Sequence, residues 1–320
     1  MEVKTVARDD LRDISGMEGF SSEQRADALI ASPAGCVLLL IAEEHALTPV
    51  DLVEPTVGFF AIAEAIGAVS PWRTDHDAVV ARALEHGPRL RPRALALVSA
   101  PGIAAWWAPI DRQYQLVLPQ HDSFICPEEV WDLRPPASPN RQERYAHRPF
   151  PGLSTSDSWY GLSQELAHVL AKAGDWEIDF PIPRRAATIR PSARIVEIDG
   201  PQAWHDFVCL YPSDGAHGFH PGFPDTPWGD GEGFLVPDWS RAARDWDGVH
   251  VPPWALLTAT QVRVESGIGV TEPWAWEGAQ TRWLNWMFDS IEDLPPVTDG
   301  MFELPDLLPY TLLYPEPSEV

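Results

Sequence analysis

The sequence is short of positive charge and almost without lysine. Its 23 Lys and Arg residues stand against 47 Asp and Glu residues, which gives a formal net charge of −24. Only Lys4 and Lys172 are lysines. Nucleic-acid backbones and anionic membranes repel such a surface, so we expect neither as a general partner. The charge favours a cationic small molecule or a basic peptide instead.

Cysteine is scarce and long apolar runs are missing. Cys36, Cys126 and Cys209 are odd in number and widely spaced, so the sequence indicates no disulfide framework and no C-x-x-C metal site. The first twenty residues hold five carboxylates and no apolar run, unlike a secretory signal. The longest apolar stretch, Cys36–Ala42, is too short to span a bilayer. These features predict a cytoplasmic protein in a reducing compartment.

Several common catalytic signatures are also missing. The chain has no G-x-G-x-x-G after a strand, no G-x-x-x-x-G-K-[ST] and no G-x-S-x-G. This argues against the commonest Rossmann oxidoreductases, P-loop NTPases and α/β-hydrolases. An enzyme with dispersed catalytic residues stays compatible with the sequence, and the sequence leaves the cofactor unknown.

The order of apolar patterns predicts an α+β fold. We expect a mainly helical module over residues 1–105 and a hairpin with a Pro/Arg-rich connecting module over residues 106–190. A tryptophan-rich acidic α+β domain, a mixed β-sheet with packed helices, is expected over residues 191–320. The 15 tryptophans of the chain favour an aromatic core or an aromatic-lined pocket.

Local patterns predict the individual elements. The hairpin is expected from residues 104–109 and 113–118, where polar and apolar residues alternate. A strand is expected over residues 194–198, followed by a helix from Pro201 and another capped by Asp238. A further strand is expected over residues 249–251. The last helix is expected over residues 277–289 because its apolar residues recur at helical spacing.

The first candidate site is the segment Arg244–His250 at a helix-to-strand turn. Asp245 and Asp247 flank Trp246, and His250 follows in a strand. A carboxylate near an imidazole is the raw material of general acid–base catalysis. The alternative is that Asp247 only fixes the turn through hydrogen bonds to local backbone, as Asp often does.

The second candidate site is the segment Thr271–Glu277. Trp274 and Trp276 share one face of an extended chain with Glu272, and Glu277 follows. Two indoles beside a carboxylate suit a cationic or aromatic ligand through cation–π and stacking contacts. The alternative is aromatic packing between strands.

The third candidate is a metal site in the Gly/Pro/Asp-rich loop over residues 211–232. His217, His220 and Asp225 offer the nitrogen and oxygen donors that zinc or iron(II) accepts. Their spacing is loose, and solvated loop histidines are the alternative. A loop of this length is often a lid or a binding loop.

Together these features predict a small-molecule or peptide-binding protein with an acidic aromatic pocket in its C-terminal domain. Trp246, Trp274, Trp276 and Glu277 would bind the ligand. Asp245, Asp247, His250 and Glu272 would be the residues of any acid–base catalysis. The alternatives are a non-enzymatic interaction protein that binds a basic partner and a metal-dependent hydrolase. The sequence does not decide whether the chain is an enzyme.

Overall fold

The computed structural model describes residues 19–69, 76–118, 154–157, 182–214, 235–273 and 279–298. The helices of this part are α1 Ser22–Ile30, α2 Pro33–Glu44, α3 Pro49–Val53, α4 Pro55–Ala68, α5 His76–Val98, α6 Pro201–Leu210, α7 Trp239–Ala242 and α8 Pro253–Ala259. Its strands are β1 Gln115–Leu118, β2 Ser154–Asp157, β3 Ile182–Ile189, β4 Ile195–Glu197, β5 Pro212–Asp214, β6 Leu235–Pro237, β7 Gly248–Val251, β8 Val264–Glu265, β9 Val270–Thr271, β10 Gln280–Trp283 and β11 Phe288–Val297. The predicted α+β class is confirmed.

The N-terminal helices form an apolar core around α2. Residues 33–42 of α2 are all buried, so the helix is apolar on every side and shows no amphipathic periodicity. Helix α2 begins after Ser32, whose hydroxyl accepts the Gly35 N–H and donates to the Leu257 carbonyl of α8. Trp254 and Leu257 of α8 belong to the same core as α1, α2, α4 and α5.

The described helices differ in length or hydropathy from a membrane-spanning helix, which needs about 20 consecutive apolar residues. No single one of them is long and apolar enough to cross a bilayer. Helices α1 and α2 meet those criteria only as a pair, and the chain bends by 95° between them.

The main sheet has seven strands in the order β11-β3-β1-β2-β10-β7-β4. Neighbouring strands are antiparallel except β4 and β7, which are parallel, so the sheet is mixed as predicted. Val196, Val249 and Val251 pack in one core with Phe207 and Val208 of α6. The residues that alternate with these valines belong to the opposite face of the sheet. That face carries the candidate site.

Several predicted elements are confirmed. Strand β4 lies within residues 194–198, and β7 covers residues 249–251. Helix α6 starts at Pro201 and buries Phe207 and Val208. Asp238 caps α7, because its side chain accepts the Arg241 N–H. These elements have local signals that agree with their tertiary environment.

Two predicted elements are wrong. Residues 103–107 form a 3₁₀ helix rather than the first arm of a hairpin, and Trp106 is buried in the helical core. The helix expected over residues 277–289 is absent from the described part of that range, 279–289: residues 280–283 are strand β10, which pairs with β2 on one side and β7 on the other. The chain then turns where Leu284 N–H and Asn285 N–H donate to the Asp247 carbonyl. Trp283 and Met287 fit a helical spacing, but pairing with distant strands decides the conformation.

Candidate functional site

A row of polar side chains runs from the edge strand β4 to the central strand β2 of the seven-stranded sheet. The strand register pairs Glu197 of β4 with His250 of β7, His250 with Thr281 of β10, and Thr281 with Thr155 of β2. Paired residues of adjacent strands lie on the same face. Asp157, two residues beyond Thr155 on β2, therefore lies on that face too.

His250 is the centre of this row and is held between two carboxylates. Its side chain is 2% exposed. Its Nδ1 is hydrogen-bonded to the Glu197 carboxylate, and its Nε2 lies 3.3 Å from Oδ2 of Asp157. A carboxylate only accepts hydrogen bonds, so both ring nitrogens carry protons and the ring is an imidazolium. We call Glu197, His250 and Asp157 the sheet triad.

The pKa of His250 agrees with this assignment. Burial alone lowers it, but the charge of Glu197 and the hydrogen bonds to both carboxylates raise the pKa of His250 to about 10. Burial raises the pKa of Asp157, but the hydrogen bond and charge of His250, together with hydrogen bonds from the Asp111 backbone and the Gln115 side chain, hold the pKa of Asp157 below its ordinary value. The sheet triad thus combines two carboxyl groups with one imidazolium.

The segment before β1 closes over the sheet triad. The Asp111 N–H donates to Oδ1 of Asp157 at 2.9 Å, and the Ile110 N–H donates to Oε1 of Glu197 at 3.3 Å. Two neighbouring backbone amides thus reach the carboxylates on either side of His250. The carboxylates are not fully covered, because the Glu197 and Asp157 side chains are 26% and 20% exposed.

Neutral hydrogen bonds fix the β1 and β2 side of the site. The Trp283 Nε1–H donates to Oγ1 of Thr155 at 2.9 Å, and the Thr155 hydroxyl donates to the Gln115 side-chain carbonyl at 2.7 Å. This orients the Gln115 amide so that its Nε2 donates to Asp157. Each bond sets the direction of the next, so the Asp157 carboxylate is held in one orientation.

The predicted residue Asp247 has structural partners in the described part of the chain. Its carboxylate accepts the Arg194 backbone N–H at 2.8 Å, two bonds from the Arg194 guanidinium, and the Asn285 amide at 3.0 Å. Burial raises the pKa of Asp247, but these hydrogen bonds hold it below its ordinary value. These contacts are structural, as in the alternative interpretation, but they join the Asp247 carboxylate to residues distant in sequence and not to the local backbone.

The other predicted residues have partners of their own. Trp246 is buried and donates its Nε1–H to the Tyr211 hydroxyl, which in turn donates to Asp245. The Glu272 carboxylate accepts from the Arg263 guanidinium at 3.3 Å. His250 is thus the one predicted catalytic residue that these contacts place in the sheet triad.

The remaining predicted site residues lie outside the described residues: Trp274, Trp276, Glu277, His217, His220 and Asp225. The aromatic pocket and the metal site stay predictions. Within the ranges that the structure describes, no group of three or more His, Cys, Asp or Glu residues is arranged to hold a metal ion.

Glu197 and Asp157 were not among the predicted site residues. The sequence carries a signal for Glu197, because this charge interrupts the apolar run Ile195–Ile198, whose residues Val196 and Ile198 are buried. Asp157 follows Ser-Thr-Ser in a strand of low apolar content and carries no such signal. Comparison of the chain with protein-family models, curated proteins and solved structures finds no match. A functional argument therefore rests on the chemistry of the sheet triad itself.

Proposed function

We propose that the chain binds a cationic ligand, a small amine or guanidinium compound, at the carboxylates of the sheet triad. The observation that supports this is the charge imbalance among the described residues: there Glu197 and Asp157 share one imidazolium, His250, and each carboxylate keeps an exposed fraction. A partly buried negative charge is costly unless it is paired. A ligand cation that contacts either carboxylate would supply the missing positive charge.

The charge of the whole chain supports the same ligand class. With a formal net charge of −24, the protein attracts cations over distances up to the Debye length, about 8 Å at physiological ionic strength. Such attraction speeds association but selects no particular cation. Selection would come from the two carboxylate directions that Ile110, Asp111 and Gln115 fix through hydrogen bonds.

Acid–base catalysis by His250 is a narrower form of this proposal. An imidazolium with both N–H groups donated to carboxylates has no lone pair to accept a proton. His250 becomes a base only after it loses a proton, which the loss of one carboxylate partner to a bound cation would favour. Ligand binding therefore comes first in the proposal, and proton transfer would follow from it.

The experiment is isothermal titration calorimetry of agmatine, which carries one amine and one guanidinium, into the wild type and two variants. Glu197→Gln keeps the size of the side chain and removes its charge. Asp77→Asn removes the same charge from a side chain that is 90% exposed. We expect Glu197→Gln to weaken binding at least about tenfold, or 1.4 kcal/mol, and Asp77→Asn to leave binding unchanged.

Two outcomes would contradict the proposal. Equal weakening in both variants would mean that agmatine only samples the general negative field, and the effect would then disappear at high salt. Binding of a tetra-arginine peptide without any binding of agmatine would favour the interaction-protein alternative. The melting temperature of each variant, followed by circular dichroism, separates loss of binding from loss of the fold.

A further inference from the structure

A second buried histidine lies on α6, where its two ring nitrogens contact a thiol and a hydroxyl. Nε2 of His205 lies 3.4 Å from Sγ of Cys209, one helical turn further along the same face. Nδ1 of His205 lies 2.8 Å from Oγ1 of Thr271 on β9. His205 and Thr271 are buried, whereas Cys209 is half-buried. Two separate elements thus bring an imidazole, a thiol and a hydroxyl together, and the Ser266 side chain is a further hydrogen-bond partner of the Cys209 thiol.

The neighbours of His205 select one tautomer of a neutral ring. Burial lowers the pKa of His205, and burial raises the pKa of Cys209, so both groups are uncharged at neutral pH. A hydroxyl oxygen is a better hydrogen-bond acceptor than a thiol sulfur. The single N–H therefore lies on Nδ1 and donates to Thr271. This leaves the lone pair of Nε2 directed at the Cys209 S–H.

We propose that Cys209 is a nucleophilic thiol for small electrophiles, with His205 as its base and Thr271 as the positioning residue. In the reaction Sγ attacks an electrophilic carbon and an Sγ–C bond forms. The leaving group departs with the electrons of its bond to that carbon, and the thiol proton passes to Nε2 of His205. Base-assisted thiols use this division of roles.

The surroundings of Cys209 favour a neutral electrophile over an anionic one. The negative charge of Asp206, on the same helix, disfavours a second negative charge and raises the pKa of Cys209 further. An approaching anion meets the same repulsion. We therefore expect the ratio of the iodoacetamide rate to the iodoacetate rate to be larger at Cys209 than at a free cysteine.

Cys36 is an internal control for this reactivity. It is completely buried in α2, its thiol donates to the Ile30 carbonyl, and burial raises the pKa of Cys36 to about 12. Such a thiol stays inert while the protein is folded. Labelling of Cys36 therefore reports unfolding in the same sample that reports the reactivity of Cys209.

The experiment measures iodoacetamide labelling of each cysteine by peptide mass spectrometry, in the wild type and in His205→Ala, Thr271→Val and Thr271→Ser. At pH 7 we expect Cys209 to react at least about tenfold faster in the wild type than in His205→Ala, since general-base assistance contributes about 10²–10⁴-fold. Thr271→Val loses the bond that holds the tautomer and should react more slowly. Thr271→Ser keeps the hydroxyl and should restore the rate.

The pH profile separates a base from a merely structural histidine. With His205 present, the Cys209 rate should fall less steeply as the pH is lowered from 7, because the lowered pKa of His205 keeps the imidazole neutral further into acid. Without it, the rate should follow the thiolate and fall about tenfold per pH unit. Equal rates and equal profiles in the wild type and His205→Ala would overturn the proposal.

Labelling of Cys36 in His205→Ala would mean that this variant does not fold. The threonine variants then decide whether His205 acts as the base. Equal Cys209 rates in Thr271→Val and Thr271→Ser would overturn the assignment, and a slow Val variant with a normal Ser variant would support it. The sheet triad has no role in this experiment. Asp77→Asn, which changes the charge of an exposed side chain, should leave the labelling rate of Cys209 unchanged.

Discussion

Two histidines of this chain have nearly the same exposed fraction, but one ring is positively charged and the other is neutral. His250 on the sheet is 2% exposed and His205 on α6 is 3% exposed. Burial lowers the pKa of both rings. Two carboxylates nevertheless raise the pKa of His250 to about 10, whereas a hydroxyl and a thiol leave the pKa of His205 below its ordinary value.

The difference shows that the neighbouring groups, and not the exposed fraction, decide the charge state of these two imidazoles. Around His250 the contacts are ionic, so removal of one partner leaves an uncompensated charge. Around His205 the contacts are neutral hydrogen bonds, so removal of one partner costs a desolvated polar group. One region suits the binding of a cation and the other the activation of a thiol.

The largest expected effect is the loss of the imidazolium itself. His250→Asn leaves Glu197 and Asp157 as two close negative charges, and we expect it to lower the free energy of unfolding by about 3–5 kcal/mol. His205→Asn removes only neutral hydrogen bonds and should cost about 1–3 kcal/mol. Urea denaturation at pH 7 with tryptophan fluorescence measures both. Equal costs would contradict the distinction between the two regions.

The fold on which these histidines lie was predictable where the signals are local. Helix α6 carries Trp204, Phe207 and Val208 at helical spacing after Pro201, and their burial agrees with that pattern. Residues 280–283 show the opposite case. Trp283 fits a helical pattern as well as a strand, and the choice is made by backbone pairing with β2 and β7, which no short window of sequence contains.

The candidate site was predictable only in part for the same reason. His250 stands out as an imidazole in an apolar strand, and a carboxylate partner was expected from the nearby Asp245 or Asp247. The actual partner, Glu197, lies 53 residues away and reaches His250 because β4 and β7 pair in parallel. Alternation along each strand fixes which face a side chain takes, but strand order fixes which side chains meet.

The two histidines should change the free energy of unfolding in opposite directions as the pH rises. The pKa of His250 is 6.5 when unfolded and about 10 when folded, so its contribution is complete below pH 6.5 and is lost as pH rises toward 10. The folded pKa of His205 lies below 6.5, so its contribution is present above pH 6.5 and is lost as pH falls.

Measurements of the free energy of unfolding from pH 5.5 to 7.5 test these contributions, about one pH unit below the ordinary pKa of a thiol. We expect His250 to contribute a decline of about 1.4 kcal/mol per pH unit above pH 6.5. His250→Asn should flatten that decline, and His205→Asn should remove part of any loss below pH 6.5. A wild-type decline that persists in His250→Asn would assign it to other groups.

The smallest effect compares two buried threonines with the same substitution, one in each region. The Thr281 hydroxyl, beside His250 in the sheet, is buried and has no hydrogen-bond partner among the described residues. The Thr271 hydroxyl is buried and contacts His205. Replacement by valine removes the hydroxyl and keeps the branched shape of the side chain. The change in the free energy of unfolding should therefore depend on whether the hydroxyl had a hydrogen-bond partner.

We expect Thr281→Val to change the free energy of unfolding by less than about 1 kcal/mol, toward greater stability, because no hydrogen bond is lost. Thr271→Val should destabilise by about 1–2 kcal/mol, because Nδ1 of His205 loses its partner. Parallel urea titrations of the two variants measure this difference. A large cost at Thr281 would mean that its hydroxyl supports the imidazolium of His250, and the sheet triad would then include a fourth member.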